Sequence, residues 1–431
     1  MKKFWALLAW LIFLPLNFSS AAEPDIAIGL VQNQFSAEVV AASDFVVTDN
    51  AGTTLSSLPK GKYFLNAANG KINIGTHSFG KDLILREKDA QKMFAVNKQT
   101  YRGRLQILLD SAKKLQVNNL VPLESYVQSV LGPKSSPIWP DEAIKAQAVA
   151  VRSFAYARMQ SSDQTYALKA SDQDMYYGGS VTENTLISKL ASATKGEILY
   201  YGDAPALTYT TESSGGKTES AAVALGKNIP YLVSVQDYDE DSPSFKWTKT
   251  ISVADVERIL AQNGHNLGKL KSYRLTPLKE PYGEGRSATG RVLSMYLKGN
   301  DGDALLSGTE LAAILNLNST LFDVSATRVL PAKIDIPIEN PYGMEIGRKE
   351  VPIKVNGDDE PRWKQVLPGY VLLNGAPDET LVFSGRGYGS GLGLSKWGAR
   401  GMANNAPDNK KDYYKVILEH YFPGTYLQKL Y

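Results

Sequence analysis

Pro140-Asp141-Glu142-Ala143-Ile144-Lys145-Ala146-Gln147-Ala148-Val149-Ala150-Val151-Arg152-Ser153-Phe154 is the stretch whose reading decides the fold. Proline is favoured at the start of a helix, and Asp141 and Glu142 in the first turn sit where the helix dipole prefers negative charge. The helix is expected to run to about Gln160. Placed on a helical wheel, Ala143, Ile144, Ala148, Val151, Phe154 and Ala155 share one arc, while Lys145 and Arg152 stack on the opposite side. Gln147 falls inside the apolar arc. A glutamine there needs a polar partner, so it is either a satisfied core amide or a group facing ligand where the helix borders a cleft.

Upstream of this helix the pattern has period two. From Asp25 to about Leu120, runs such as Ile26-Ala27-Ile28-Gly29-Leu30 and Tyr101-Arg102-Gly103-Arg104-Leu105-Gln106-Ile107 read as strands, broken by turns such as Asp49-Asn50-Ala51-Gly52. A short helix opens at Pro122-Leu123 and ends near Gly132-Pro133, and the loop Lys134-Ser135-Ser136-Pro137-Ile138-Trp139 joins it to the long helix. Downstream, a helix from about Thr185 to Lys195 stops at Gly196. Strands at Glu197–Tyr201 and Ala206–Thr211 lead into the polar turn Glu212-Ser213-Ser214-Gly215-Gly216-Lys217-Thr218. Helices at Val253–Gln262 and Gly308–Leu315 and a strand at Val292–Leu297 mark a further α/β segment. The segment Gly385 to Ala399 holds six glycines in fifteen positions, a density that signals tight turns or close backbone approach. It lacks the G-x-x-x-x-G-K-[ST] pattern of a phosphate cradle.

The expected fold class is α+β. It comprises a β-rich N-terminal region (23–120), a mixed α/β core with a central helix and the glycine-rich C-terminal loop (121–229 and 381–431), an α/β segment (230–330) and an insertion read as a β hairpin (331–380). A chain of 431 residues is too long for one ordinary core. Residues 1–22 read as a signal peptide: Lys2 and Lys3, then an apolar run from Phe4 to Phe18 of about 15 residues, then Ser20-Ala21-Ala22. The run is shorter than the ~20 residues that span a bilayer. Export to the periplasm or the cell exterior is therefore expected, with no stable membrane span once the signal is cleaved. The formal net charge is only +3 and there is no cysteine. The first observation argues against a nucleic-acid partner, and the second excludes a lipid-anchored lipoprotein and a His/Cys zinc site. Only three histidines are present, far apart in sequence, and no G-x-S-x-G accompanies them. No cofactor and no metal are expected.

These landmarks together resemble the stage II sporulation protein D / amidase enhancer family of cell-wall proteins. Leu123-Glu124-Ser125-Tyr126-Val127 resembles the family's L-E-D-Y-V/L. The helix quoted first resembles E-A-L-K-A-Q-A-V-A-A-R-T/S-Y. Ala193 to Leu199, Ser214-Gly215-Gly216-Lys217-Thr218, Pro230-Tyr231-Leu232 and Thr289-Gly290-Arg291-Val292 match further landmarks. The C-terminal loop is similar to G-R-G-W-G-H-G-V-G-M-S-Q-W-G-A, and His420-Tyr421-Phe422-Pro423-Gly424-Thr425 to H-Y-Y-P-G-T. The resemblance covers about Tyr101 to Leu427, interrupted at 331–380. It implies a wall-associated protein engaging peptidoglycan glycan strands, with a cell-wall amidase as a candidate partner. Some members are lytic transglycosylases.

The same resemblance exposes departures. Transglycosylase members carry E-M-P-x-x-W/F-P, whose Glu is the catalytic acid. Alignment on Trp139-Pro140 puts Lys134 at that position, with Ser135-Ser136 replacing Met-Pro. One carboxyl group must protonate the glycosidic oxygen and then accept a proton, which needs a pKa near working pH. Lysine starts near 10.4 and its cation opposes the oxocarbenium-like charge on the sugar. Ser390 stands where the family has His, and Lys396 where it has Gln. The expectation is therefore a degenerate member that binds glycan, with Glu124 and Glu212 as alternative acids. Gln147, Arg152, Ser213, Ser214, Tyr388, Ser390 and Trp397 are the expected substrate contacts. The competing expectations are an active transglycosylase with a displaced acid and a wall scaffold without glycan contact.

Overall fold

The computed structural model describes residues 22–80, 82–133, 135–136, 138–162, 164–171, 175–279, 283–327, 333–339, 345–352, 369–373, 375–407 and 411–431. The signal-peptide reading of the first 21 residues and the position of Lys134 lie outside them.

The fold is α+β and rich in strand. Among the described residues before Leu123 every regular element is a strand. Seven strands form one sheet in the order Leu168–Lys169, Asp25–Gln34, Leu115–Pro122, Arg104–Leu109, Leu83–Glu87, Phe45–Thr48, Thr54–Leu58. A second sheet of six strands runs Gln99–Tyr101, Phe94–Val96, Ser36–Ala41, Gly61–Ala68, Lys71–Ile74, His77–Phe79. Alternate residues of these strands (Ile26 and Ile28, Leu83 and Leu85, Leu105 and Ile107) are fully buried, as period-two patterning requires.

Eight helices are present among the described residues: α1 (Leu123–Leu131), α2 (Asp141–Ser161), α3 (Thr185–Ser192), α4 (Ala221–Ala224), α5 (Val253–Gln262), α6 (Gly308–Ile314), α7 (Lys396–Asn404) and α8 (Tyr413–Tyr421). Local chemistry sets their starts. Asn184, Ser252, Ser307 and Ser395 each cap a helix by accepting a backbone N–H with the side chain.

Helix α2 organises the molecule because two cores meet on it. Ile144, Ala148, Val151, Phe154 and Ala155 pack with α1 and the N-terminal sheets. Ala143, Ala146, Val149 and Ala150 pack on another face with Leu199, Leu392, Leu394, Ala399 and the α8 residues Ile417 and Leu418. The boundary expected at residue 120 is thus not a core boundary: the β-rich region shares its core with α1 and α2. Small side chains let α2 be enclosed almost all round, so an apolar arc with a solvated back does not describe it. Arg152, expected beside Lys145 on an outer face, is fully buried. Lys145 stays near the surface, paired with Glu142 at 2.6 Å.

A third core belongs to the later segment. Lys246–Ser252, Thr380–Arg386 and Phe322–Thr327 make one sheet. Asp303–Ser307, Ser294–Gly299, Leu270–Arg274 and Tyr370–Leu372 make another. Phe322, Leu381 and Phe383 join the two in one buried cluster with α5 and α6. Residues 370–372 and 380–386 therefore complete the unit expected to end at 330. Within the insertion, Lys333–Glu339 and Glu345–Pro352 pair antiparallel. No helix among the described residues is long and apolar enough to cross a membrane.

Candidate functional site

The site grows from two short strands. Thr210–Thr211 and Leu394–Ser395 lie side by side in parallel. The first runs into the Glu212–Thr218 turn, and the second runs directly into α7, whose first two residues are Lys396 and Trp397. Glu212 is therefore held beside both. Its carboxylate accepts from Lys396 Nζ at 3.1 Å and from Trp397 Nε1 at 3.2 Å. The Trp397 ring meets Trp139 edge-on at 5.1 Å, and the Arg400 guanidinium lies 5.0 Å over the Trp397 ring. Trp139 closes the loop from α1 to α2. In the same loop Ser135 donates its hydroxyl to Gln147 Oε1 at 3.1 Å. Gln147 is 1% exposed, and its Nε2 has no partner among the described residues. The amide oxygen is thus partnered and its nitrogen is not, among the described residues. Two runs of contact result, Ser135–Gln147 and Trp139–Trp397–Glu212–Lys396, both reached from the loop between α1 and α2.

The glycine-rich stretch forms the opposite part of this region. Tyr388 exchanges backbone hydrogen bonds with Ser213, at 2.8 and 3.2 Å. Gly391 has φ +76°, and a Cβ there would collide with the Arg291 guanidinium. Tyr388 is 50% exposed and Ser390 is exposed, so both are available to a ligand. The Ser390 hydroxyl accepts the Leu392 N–H at 3.2 Å.

Ser213 and Ser214, expected as contacts, are fully buried. Each donates its hydroxyl at 2.5 Å to an aspartate, Ser213 to Asp239 and Ser214 to Asp237. Asp239 also accepts the Gly215 and Gly216 N–H groups, and Asp237 accepts the Tyr421 hydroxyl. Arg291 donates to the Ser214 carbonyl at 2.6 Å, while its Nε has no partner among the described residues. Burial, followed by the charge of Asp237, pushes the Asp239 carboxyl up despite its hydrogen bonds to Ser213, Gly215 and Gly216. Burial also brings Arg291 down to about 10, against the pull of Glu219, Asp239 and Asp237. This buried network fixes the 213–216 turn from beneath. Sequence reasoning missed its acids, which open the acidic run Asp237-Tyr238-Asp239-Glu240-Asp241.

Glu124 and Arg152 are placed elsewhere, in the core. Arg152 Nε and Nη2 each reach a Glu124 oxygen at 2.8 Å. Glu124 also accepts the Gly196 N–H at 3.0 Å and the Tyr431 hydroxyl at 2.8 Å. Burial pushes its carboxyl up, but the Arg152 hydrogen bond and charge, with Gly196 and Tyr431, outweigh that and hold it below the ordinary value. Neither group, expected as an acid and a sugar contact, lies at the surface: the pair is buried and pins α1 to α2.

A family model described as Stage II sporulation protein matches residues 111–201. That span holds α1, α2, α3 and the loop between the first two. Over that span the chain matches the family that the motifs resemble. It is 25% identical to Stage II sporulation protein D of Bacillus subtilis over 72% of this chain and 75% of that protein. It is also 25% identical to an uncharacterised protein of Brachyspira hyodysenteriae, over 78% of this chain and 74% of that protein. The amidase enhancer of Bacillus subtilis is 25% identical over 85% of this chain, which spans 50% of that longer protein.

Proposed function

We propose that this is an exported cell-wall protein that holds peptidoglycan glycan strands without cutting them, acting as a binder or as an enhancer of a wall amidase. The state of the carboxylates carries this reading. Lys134 replaces the family's acid. Of the two alternatives, Glu124 is enclosed in an ion pair with Arg152 and Glu212 is paired with Lys396. Lytic cleavage needs a carboxyl that alternates between protonated and ionised forms beside the glycosidic oxygen. The Lys396 cation held against Glu212 disfavours positive charge on a sugar beside it. The half-exposed Tyr388 and the partly buried Trp397, with Ser390 between them in sequence, supply faces and a hydroxyl suited to sugar rings.

The test is incubation of the purified chain with peptide-stripped glycan, followed by product analysis and a sedimentation assay with intact sacculi. Binding without anhydro-sugar products is expected. Turnover abolished by Glu212→Gln would overturn the reading in favour of an active enzyme with a displaced acid. Failure to bind sacculi would favour a scaffold.

A further inference from the structure

Beneath the glycine-rich stretch lie the enclosed carboxylates Glu219, Asp237 and Asp239 and the enclosed guanidinium of Arg291. If all four are ionised, negative charge exceeds positive within this network, which is costly away from water. Most other charged groups on the surrounding elements have partners of their own. Lys396 and Arg400 of α7 pair with Glu212 and Asp241, and Arg286 pairs with Asp323. Lys217 and Glu240 are exposed, and Arg386 presents its Cβ to Gly215. Tyr421 of α8 donates to Asp237, and burial keeps its phenol protonated. His420 places a ring nitrogen 2.7 Å from the Gln236 carbonyl.

The contacts of the two aspartates let one proton stay. Each meets a serine hydroxyl at 2.5 Å, Ser214 for Asp237 and Ser213 for Asp239. A hydroxyl accepts as well as it donates, so a carboxyl there can keep its proton without any heavy atom moving. The two aspartates also hold the same glycine: Gly216 N–H donates to Asp239, and its carbonyl accepts the Asp237 N–H. Like charges enclosed this closely titrate as a pair.

The glycine-rich stretch rests on this network at two places. Gly387 lies against Ser213, Ser214 and Gly215, and Gly391 lies against Arg291. The Gly391 carbonyl accepts the Glu219 N–H at 2.8 Å. Tyr388 and Ser390 sit between these supports. We propose that the Asp237–Asp239 pair is a proton-loaded latch: with one proton bound it seats the 213–216 turn and the Tyr388–Ser390 stretch, and without it the two carboxylates repel and loosen both. This rests on the reading that the chain holds glycan, and it adds that the hold tightens as pH falls. Burial, then the charge of Asp237, pushes the Asp239 carboxyl up, so release comes at a higher pH than for an exposed aspartate.

The test begins on the full exported chain without ligand, labelled with carbon-13 at its aspartate carboxyls. Asp237→Asn and Asp239→Asn assign the two signals, and the pair should give a titration above the ordinary value of ~3.9. Hydrogen exchange at 213–216 and 387–391, corrected for its intrinsic pH dependence, should be faster at about pH 8 than at about pH 5. Sedimentation with sacculi at constant ionic strength should show binding at least about threefold tighter at the lower pH. Asp239→Asn should bind equally at both, and His420→Gln should keep the wild-type response. If Asp239→Asn does not fold, the carbon titration and the exchange of the wild-type chain decide. Two carboxyls ionised throughout, in a chain that binds sacculi, overturn the latch and leave the main reading standing. A titrating pair with pH-dependent exchange, in a chain that binds no sacculi, overturns the main reading and supports the latch. A pH response equal in wild type and Asp239→Asn belongs to the sacculi, and one lost in His420→Gln alone belongs to that histidine; either overturns the latch.

Discussion

Replacing Arg152 with leucine should damage the fold severely without touching the ligand-facing surface. The guanidinium makes two 2.8 Å bonds to Glu124 and further bonds to the Ala191 and Glu197 carbonyls and the Thr194 hydroxyl, at 3.2 to 3.4 Å. Leucine fills part of the volume and removes all of them. Glu124, only 6% exposed, would then be a buried carboxylate with just Gly196 and Tyr431 as donors. Breaking one side of such a pair costs about 3–5 kcal/mol, a large share of the ~5–15 kcal/mol that holds a typical protein folded. Glu124→Leu combined with Arg152→Leu should cost less than Arg152→Leu alone, because no charge is left stranded. Urea unfolding gives the totals. Amide hydrogen exchange along α2 localises the loss, which matters because a chain with three cores need not unfold in one step. The pH dependence has a definite sign. The folded-state pKa of Glu124 is lowered, so its contribution is complete above the unfolded value near ~4.3 and is lost as pH falls through the folded value. Glu124→Gln should therefore flatten the acid side of the stability curve. An Arg152→Leu protein within about 1 kcal/mol of wild type, or one with normal stability and lost sacculus binding, would refute the structural role.

Gly391→Ala places a Cβ against the Arg291 guanidinium at a positive φ; it should cost roughly 1–3 kcal/mol and lower sacculus binding, read by melting and by sedimentation. Trp397→Ala removes the Trp139 contact, the Glu212 hydrogen bond and the Arg400 stacking; sacculus binding should fall severalfold, whereas Trp397→Phe, which keeps a ring, should retain most of it. Lys134→Glu, alone or with Ser390→His, should raise turnover of peptide-stripped glycan above the wild-type background. Unchanged background in both would count against a groove that has merely lost its acid.

Much of the framework was legible in the sequence because it depends on local signals. Period-two runs before Leu123 gave strands, and the Pro140-Asp141-Glu142 start gave α2 within a residue or two of its observed end at Ser161. What was not legible depends on long-range packing. The helical wheel gave α2 one apolar arc with Lys145 and Arg152 opposite it, yet its alanines let a second core close over the helix and enclose Arg152. The partner of that arginine lies 28 residues away on another helix, and no periodicity reports such a pair. Ser213 and Ser214 looked like ligand groups because they sit in a polar glycine turn. Their aspartate partners are more than twenty residues further on, so the turn reads as open in sequence and is sealed in space. The Glu212 neighbourhood was harder still: Lys396 and Trp397 reach it through a parallel strand pair that joins residues more than 180 apart.

The glycine-rich stretch shows why composition alone misleads about a site. Its glycines pointed to tight turns or close backbone approach, and the approach the structure shows is to the protein itself. Cβ atoms at Gly387, Gly391 and Gly393 would meet the Ser213 carbonyl, Arg291 and the Tyr209 carbonyl respectively. The residues between the glycines divide in two. Leu392 and Leu394 turn inward and are buried, whereas Tyr388 and Ser390 remain outside. The glycines thus let the chain lie flat on the Asp237–Asp239–Arg291 network, and that flatness is what presents Tyr388 and Ser390. Ser390 is the position where the family carries His, and its exposure makes the change one of surface chemistry rather than of packing. A titratable ring is replaced by a hydroxyl that can hydrogen-bond a sugar but carries no charge near neutral pH. Together with the Lys396–Glu212 pair, this supports a region whose architecture is kept while its proton-transfer groups are removed.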